Sequence, residues 1–412
     1  MNIFIMHFRL TREQLLLDLY EAYKSARTNK RKTTDQQRFE LNLEAELVQL
    51  SEELYARKYR PRQSICFIIR DPKQREVFAA HFRDRVVHHL YYNYTHELYE
   101  RFFIADSYSC ISGRGTHYGI NRLAHHIRSA SHNYRKDCYV LKLDIKGYFM
   151  HINRHLLHKH CLQMLGKSEK AYAAKLDFSL IRYLTSIFTL QNPVIGCKMQ
   201  GRQSDWNGLP PSKSLFYSKD GCGLPIGNLT SQLFSNIYMN AFDQYMKREL
   251  RCEHYGRYVD DAYVVSSDVG RLRSLIPLVR KFLSNELHLE LHKDKLKIDN
   301  ARFGTQFLGA YLKPWRTYIA NNCAQRMKRK LSLMDLPRGI HVDNLQPRCN
   351  SYSGLLGHYR GWSVRKDLLC QSHAMFKYGY WGRSLQKFYL NREASQKIIG
   401  ALIAKVENTA SA

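Results

Sequence analysis

The chain has 412 residues, and 64 Lys and Arg against 36 Asp and Glu leave a formal charge of +28. With hydrophobic residues at 44% and 28 tyrosines it is too apolar for a disordered polycation, and its length suits one large domain or a few ordinary ones. No stretch is apolar for long enough to span a membrane, so a folded protein with an anionic partner is expected. Met1–Leu10 is too short, and too interrupted by His7 and Arg9, for a signal peptide, which points to the cytoplasm. The ten cysteines form no CxxC pair and read as scattered free thiols. Cations are spread along the chain among Tyr, Phe and His and are not gathered into a basic amphipathic helix, which favours nucleic acid over a membrane surface.

The first predicted element is a helix over Thr11–Thr28, with Thr11 and Gln14 spaced as a capping box and Leu15, Leu16, Leu19, Tyr20 and Tyr23 on one stripe. The basic run Lys24–Lys32 follows and reads equally as a solvated turn or a phosphate-contacting loop. A second helix is expected from Gln37 to Lys58, a strand over Ile65–Ile69, a turn at Asp71-Pro72 and a helix over Phe82–Tyr99. The Gly113/Gly115 loop lacks the Lys-Ser/Thr of a P-loop. Cys138–Ile145 alternates like a strand and runs into Asp144. Gln191–Lys219 reads as a long loop, Thr230–Arg251 as a helix, and Tyr255–Val265 as a hairpin with Asp260 and Asp261 at its tip. Beyond Cys323 strand signals fade into a Lys/Arg-rich helical pattern.

Two adjacent aspartates between β-forming runs, in a cationic chain, suggest a metal site. If the strand ending at Asp144 neighbours the hairpin in one antiparallel sheet, three carboxylates converge on one edge. Such hard oxygen donors suit Mg²⁺, which takes its remaining ligands from water and substrate phosphates, and two such ions can activate a 3′-hydroxyl and stabilise a leaving pyrophosphate. Turns favour Asp in any protein, so the tetrapeptide Tyr258-Val259-Asp260-Asp261 alone does not decide the matter.

Taken together, the ordered motifs resemble those of a bacterial reverse transcriptase, of the kind allied to group II intron, retron and diversity-generating retroelement enzymes. The resemblance runs from about Leu43 to Lys366. Arg70–His89 is similar to the fingers segment, where Lys73 and Arg75 would lie over the incoming triphosphate, with Arg83 and Arg85 as competing candidates. Asp144-Ile145-Lys146-Gly147-Tyr148-Phe149 resembles the first metal-binding palm motif, and Gly223–Gln232 the motif that supports template and nucleotide. Tyr258–Asp261 looks like the catalytic box, Leu291–Ile298 the Lys-containing segment that follows it, and Phe307-Leu308-Gly309 the primer-grip turn.

The resemblance implies an α/β (α+β) right-hand polymerase: N-terminal helices and fingers over 1–135, an antiparallel-sheet palm over 136–322 with a fingers-like insertion at about 160–220, and a helical thumb and C-terminal region over 323–412. It implies catalytic Asp144, Asp260 and Asp261, metal contacts at Asp144, Ile145, Asp260 and Asp261, and Mg²⁺ as cofactor, with Mn²⁺ as the alternative. Lys73, Arg75, Phe149, Ile226, Gly227, Gln232 and Lys295 become the expected dNTP contacts. Tyr258, Phe307, Leu308, Gly309, Arg326, Lys328, Arg329 and Lys330 become the expected nucleic-acid contacts.

Phe149 would exclude a ribose 2′-hydroxyl, unless it is simply core. Lys295 could donate a proton to pyrophosphate, or be one of three lysines on an exposed face. Ile226 before Gly227 and Gln232 after Ser231 depart from the Gln and Pro usual in intron and retron enzymes, and resemble the diversity-generating and phage-defence branches. The expected partners are a dedicated noncoding RNA template and the cDNA product, with an accessory protein, a second polymerase subunit or a homo-oligomer left open. No RNase H, zinc or integrase signature is apparent after the thumb. Two alternatives stand: a template-independent or protein-primed polymerase on the same fold, and a catalytically idle RNA-binding module.

Overall fold

The computed structural model describes residues 10–28, 33–71, 73–335, 342–396 and 399–400. The far end of the Lys24–Lys32 run, the Met1–Leu10 segment but for Leu10, and Pro72 lie outside these residues. The chain divides into two compact units. The first comprises 1–119, 141–264 and 269–297, and the second 120–140, 265–268 and 298–412.

In the first unit, α1 (Arg12–Arg27) starts at Thr11, whose side chain caps the Gln14 N–H as its spacing predicts. The expected second helix is two, α2 (Thr34–Leu41) and α3 (Leu43–Tyr55), broken at Asn42, an Asn being among the residues that readily stop a helix. Helices α1 and α3 pack together, and α1 also packs on α4 (Phe82–Glu100), which in turn packs on α9 (Leu229–Gln244). Helix α9 continues into a π-turn over Tyr245–Glu249.

Strands β1 (Ile65–Ile69) and β2 (Arg75–Ala79) form an antiparallel pair in the register Ile65 opposite Ala79 and Ile69 opposite Arg75. Helix α5 (Thr116–Ala130) and β3 (Tyr139–Leu143) cross from one unit to the other along the chain. After β3 come the short α6 (Tyr148–His151), then α7 (Arg154–Tyr172) and α8 (Phe178–Leu190), which pack on each other.

The 191–219 stretch expected to be a long loop is structured. It adds β4 (Lys198–Met199) parallel to β1 and then runs through three short 3₁₀ turns. Its anchor is Glu76, only 1% exposed. That carboxylate accepts from Trp206 Nε1 at 2.8 Å, Ser214 Oγ at 2.9 Å and the Leu215 N–H at 2.7 Å. A buried acid needs such partners, and its partners needed a fold to reach it, so composition alone reads the segment as loop.

Strands β5 (His254–Tyr258) and β6 (Asp261–Ser266) are joined by two residues, which makes them an antiparallel hairpin, and β3 lies on the other side of β6. Helix α10 (Val269–Leu287) buries Leu272, Leu275, Val279, Leu283 and Leu287 on one face.

In the last segment of the second unit, which starts within β7 (Lys297–Asn300), β8 (Thr305–Phe307), β9 (Ala310–Lys313) and β10 (Arg316–Ile319) form an antiparallel meander. Helices α11 (Asn321–Ser332), α12 (Val342–Gly357) and α13 (Trp362–Leu369) follow. Against the expectation of helix alone, a hairpin of β11 (Gly379–Trp381) and β12 (Phe388–Leu390) closes this region. It is built because Trp381 and Phe388, opposite each other across the pair, cover a core of Leu331, Leu345, Cys349 and Met375. All ten cysteines are free thiols, and no helix among the described residues is long and apolar enough to cross a membrane.

Removing the Glu76 anchor strands three donors. Glu76→Ala is expected to cost about 2 kcal/mol or more in chemical unfolding, with amide-exchange protection lost first at 206–215.

Candidate active site

The three aspartates do converge. Asp144 follows the last residue of β3, Asp260 is the second residue of the hairpin turn and Asp261 opens β6, the strand next to β3. Asp144 and Asp261 are close enough to hydrogen-bond. Burial and then the charges of Asp260 and Asp144 push the Asp261 carboxyl up to about 7. Burial, with Asp144 adding to it, also raises Asp260. Asp261 keeps an exposed surface, so it is hemmed in by protein on one side and open to solvent on the other.

Two cations offset the repulsion. Lys295 Nζ donates to Asp144 Oδ2 at 2.7 Å, and the charges of Lys295 and Arg75 favour the ionised form of Asp260. Lys295 reaches the site because its segment is laced to the end of β3. Lys146 N–H donates to Glu290 O at 2.9 Å and His292 N–H to Asp144 O at 2.8 Å, flanking an antiparallel bridge between Ile145 and Leu291. In that non-hydrogen-bonded pairing the Ile145 carbonyl faces away from Leu291. Its side chain is buried.

Crowded carboxylates, one pushed up to about 7 by its neighbours, are what a divalent cation relieves, and they fit such an ion chemically. Among the described residues no three ligating side chains are already closed around one cation-sized point, and the Lys295 ammonium holds Asp144 in this arrangement.

Of the expected nucleotide contacts, Phe149, Ile226 and Gly227 lie together on a second group of elements. Phe149 and Ile226 both lie against a core cluster of Cys66, Phe78, Met150 and Leu215. Backbone bonds stitch them in place: Leu224 N–H to Phe149 O at 2.8 Å, Gly223 N–H to Ile152 O at 2.9 Å and Phe78 N–H to Ile226 O at 2.8 Å. Asn228 Oδ1 accepts from the Ala80 N–H at 3.2 Å. The 223–228 loop is therefore docked on β2, and Gly227 is the point of closest approach. Its φ is +130°, and a Cβ there would stand 2.9 Å from both Phe78 O and Val77 Cγ1.

Arg75, exposed at the start of β2, senses Asp260, and Lys73 is exposed just before it. Arg83 leaves the competition: 2% exposed, it pairs with Glu53 at 2.5 Å and stacks over Tyr59. Gln232 is exposed on α9, and Tyr258 is half-buried at the end of β5.

Phe307, Leu308 and Gly309 belong to the second unit. Phe307 is buried at the end of β8, and Leu308 at φ +47° with Gly309 at +83° make the two-residue turn into β9. Arg326, Lys328, Arg329 and Lys330 lie on α11 of the same unit, a helix that buries Met327 and Leu331.

Sequence reasoning passed over a concavity of about 1270 Å³ in the first unit, lined by Arg38, Arg62, Arg85, Lys198 and Phe67. Asp144, Asp260 and Asp261 do not line it, whereas Asp35 and Asp205 do. Its cations come from four separate elements or loops, so no local run announces it.

The same unit thus carries a sheet edge with three carboxylates and a loop docked on β2 through a glycine. The reverse transcriptase (RNA-dependent DNA polymerase) family matches residues 72–312, more than half of the chain, and the chain belongs to that family. Its mixed helix-and-sheet architecture is the family's right-hand polymerase fold. Among solved structures, the chain is similar to apo telomerase from Candida tropicalis, at 10% identity and a TM-score of 0.45, covering 75% of this chain and 57% of that one. It is likewise similar to telomerase from Candida albicans in complex with a fragment of telomeric RNA, at 12% identity and 0.43, covering 77% and 56%. The chain thus spans little more than half the length of these structures. No curated protein sequence matches it.

Gly227→Ala is expected to lift the loop from β2. Unfolding free energy should fall by about 1–3 kcal/mol, with faster amide exchange at Phe78 as the local signature.

Proposed function

We propose that this chain is an RNA-directed DNA polymerase that adds dNTPs to a 3′-hydroxyl on an RNA template. The observation that carries the reading is the convergence of Asp144, Asp260 and Asp261 at one sheet edge in a chain of the reverse transcriptase family. Asp144, Asp260 and Asp261, with the Ile145 carbonyl, would hold Mg²⁺, or Mn²⁺ in its place, in a two-metal mechanism. When bound, such ions supply activation of the attacking hydroxyl and charge stabilisation at the leaving pyrophosphate.

The chain's own residues do the rest. Arg75 and Lys73 are assigned to the triphosphate, the guanidinium of Arg75 suiting a phosphate's paired oxygens. Phe149 is assigned to the sugar, where its ring, braced by the cluster it shares with Ile226, excludes a 2′-hydroxyl. Lys295 is assigned to hold a proton for the leaving pyrophosphate, supported by its reach to the aspartates. The concavity where Arg38, Arg62, Arg85 and Lys198 outnumber Asp35 and Asp205, with Phe67 as an apolar wall, is assigned to an unpaired stretch of template RNA. Phe307–Gly309, Tyr258 and the α11 cations are assigned to the primer-template duplex.

Ile226 and Gln232 support a place in the bacterial branch that includes diversity-generating and phage-defence enzymes, copying a dedicated noncoding RNA in the cytoplasm.

Replacing Asp260 and Asp261 together by Ala is expected to reduce cDNA synthesis on a primed RNA to background while RNA affinity stays within about threefold. Undiminished synthesis by the double variant overturns the reading. Ile226 has no hydrogen-bonding atom to offer a base pair, so Ile226→Gln is expected to lower the substitution rate in sequenced cDNA. An unchanged error spectrum removes that side chain from base-pair checking.

A further inference from the structure

The hairpin that presents Asp260 turns on a residue that resists the turn. Val259 has φ +56°, a region a β-branched residue rarely enters because its Cβ crowds the backbone. Short hairpin turns usually fill such a position with Gly, Asn or Asp.

Both backbone polar groups of Val259 are gripped from within the protein. Its N–H donates to Ser109 Oγ at 3.2 Å, and its carbonyl accepts from Arg257 Nη1 at 2.8 Å. Arg257 and Asp243 are each 0% exposed. Arg257 Nε and Nη2 donate to the two oxygens of Asp243 at 2.8 and 2.6 Å, and Tyr255 Oη donates to the same carboxylate at 2.6 Å. Arg257 Nη2 also reaches Ser107 Oγ at 3.3 Å, and Nη1 reaches Asn236 Oδ1 at 3.4 Å. Ser109 and Asn236 close the ring, Ser109 Oγ donating to Asn236 Oδ1 at 3.0 Å and Asn236 Nδ2 to Ser109 O at 2.7 Å. Helix α9, strand β5 and the 107–109 segment are tied around one guanidinium.

We propose that Arg257 is a positioning residue of the aspartate site: by clamping the Val259 carbonyl it holds Val259 in its left-handed conformation, and so aims the Asp260 carboxylate at Asp144 and Asp261. The inference rests on the polymerase reading for the role of the aspartates, and adds to it the part that sets their geometry. The chemistry selects arginine. A planar guanidinium can spend one edge on a bidentate carboxylate and still direct a further N–H at a carbonyl. Lysine keeps the charge opposite Asp243 but cannot make both contacts. A purely structural ion pair would need only Asp243, and apolar residues of like volume often replace such pairs without loss. The bond to the backbone next to Asp260 is what such a pair would not require.

Arg257→Ala would strand a buried carboxylate and risk unfolding, so the test uses Arg257→Lys, alone and with Val259→Gly, in the full chain. Glycine takes positive φ freely, so it supplies by itself the conformation that the clamp enforces. Circular dichroism establishes the folded fraction, Mn²⁺ affinity is read by electron paramagnetic resonance, and kcat and KM by primer extension. Per folded molecule, Arg257→Lys is expected to weaken Mn²⁺ binding and lower kcat by about tenfold each, with KM for dNTP nearly unchanged. Adding Val259→Gly should recover most of both losses.

Wild-type Mn²⁺ affinity in Arg257→Lys, or no recovery from Val259→Gly, overturns the proposal. A wild type that binds Mn²⁺ and loses it in Arg257→Lys, yet polymerises nothing, upholds the positioning role and sinks the polymerase reading instead. A wild type that binds no Mn²⁺ overturns the positioning role.

Discussion

Three carboxylates that repel one another have to be kept at one edge of a sheet, and much of the first unit answers that constraint. Two like charges about 4 Å apart repel by about 4 kcal/mol at the effective dielectric of a protein surface. Burial adds to the cost by weakening hydration, which is why Asp260 and Asp261 are both pushed toward their neutral forms. Flexible loops would let such groups drift apart. Here Asp144 directly follows one strand, Asp261 begins its neighbour, and Asp260 sits in a turn where Val259 is bonded at both its N–H and its carbonyl. The scaffold spends its rigidity where the electrostatics is least favourable.

The same logic orients the cations that moderate the repulsion. Along β2, successive side chains point to opposite faces, so burying Glu76 as the anchor of the 206–215 segment turns its neighbour Arg75 outward. Arg75 then contributes its charge to the site without being buried in it. Lys295 is brought by a different device, the backbone lacing of 290–292 to 144–146, so its position does not depend on its own flexible side chain alone. The loop at Gly227 shares β2 as its support. Any shift of β2 would therefore be felt at Arg75, at the Glu76 anchor and at Ile226 together.

What could be read in the sequence was local or ordered along the chain. Thr11 and Gln14 announce the first helix because a cap is a contact three residues long, and Ile65–Ile69 announces a strand by composition. The aspartates were legible because Asp260 and Asp261 interrupt a β-forming run and Asp144 ends another, so their meeting needed only the assumption that the strands are neighbours. The rest depends on distant partners. Glu76 and Ser214 are 138 residues apart, and without that bond 191–219 has the composition of a loop. Arg83 and Arg75 are equally basic in sequence, and only the fold buries one against Glu53 and leaves the other by Asp260. The β11–β12 hairpin was missed because its strands are three residues each and owe their existence to the core beneath them. Arg257 looked like one more cation, since Asp243 and Ser107 come to it from other elements.

A charge of +28 overstates the cations free to meet a partner and understates how they are arranged. Arg257 and Arg83 are buried against carboxylates, and Arg182 makes a two-pronged pair with Glu169. The first two spend their charge inside the protein, and Arg182, its side chain 38% exposed, is paired nearer the surface. On α11, Arg326, Lys328, Arg329 and Lys330 are crowded within five residues, and like charges four residues apart disfavour the helix that carries them. The aspartate edge is the mirror image, acids crowded with acids. Each is a frustrated arrangement that the isolated chain tolerates at a cost, and each is relieved by a ligand of opposite sign: phosphates for the crowded cations, a divalent ion for the crowded carboxylates. On the proposed reading a nucleic acid and a metal satisfy the two together, so occupancy by substrate removes electrostatic strain that folding alone leaves in place.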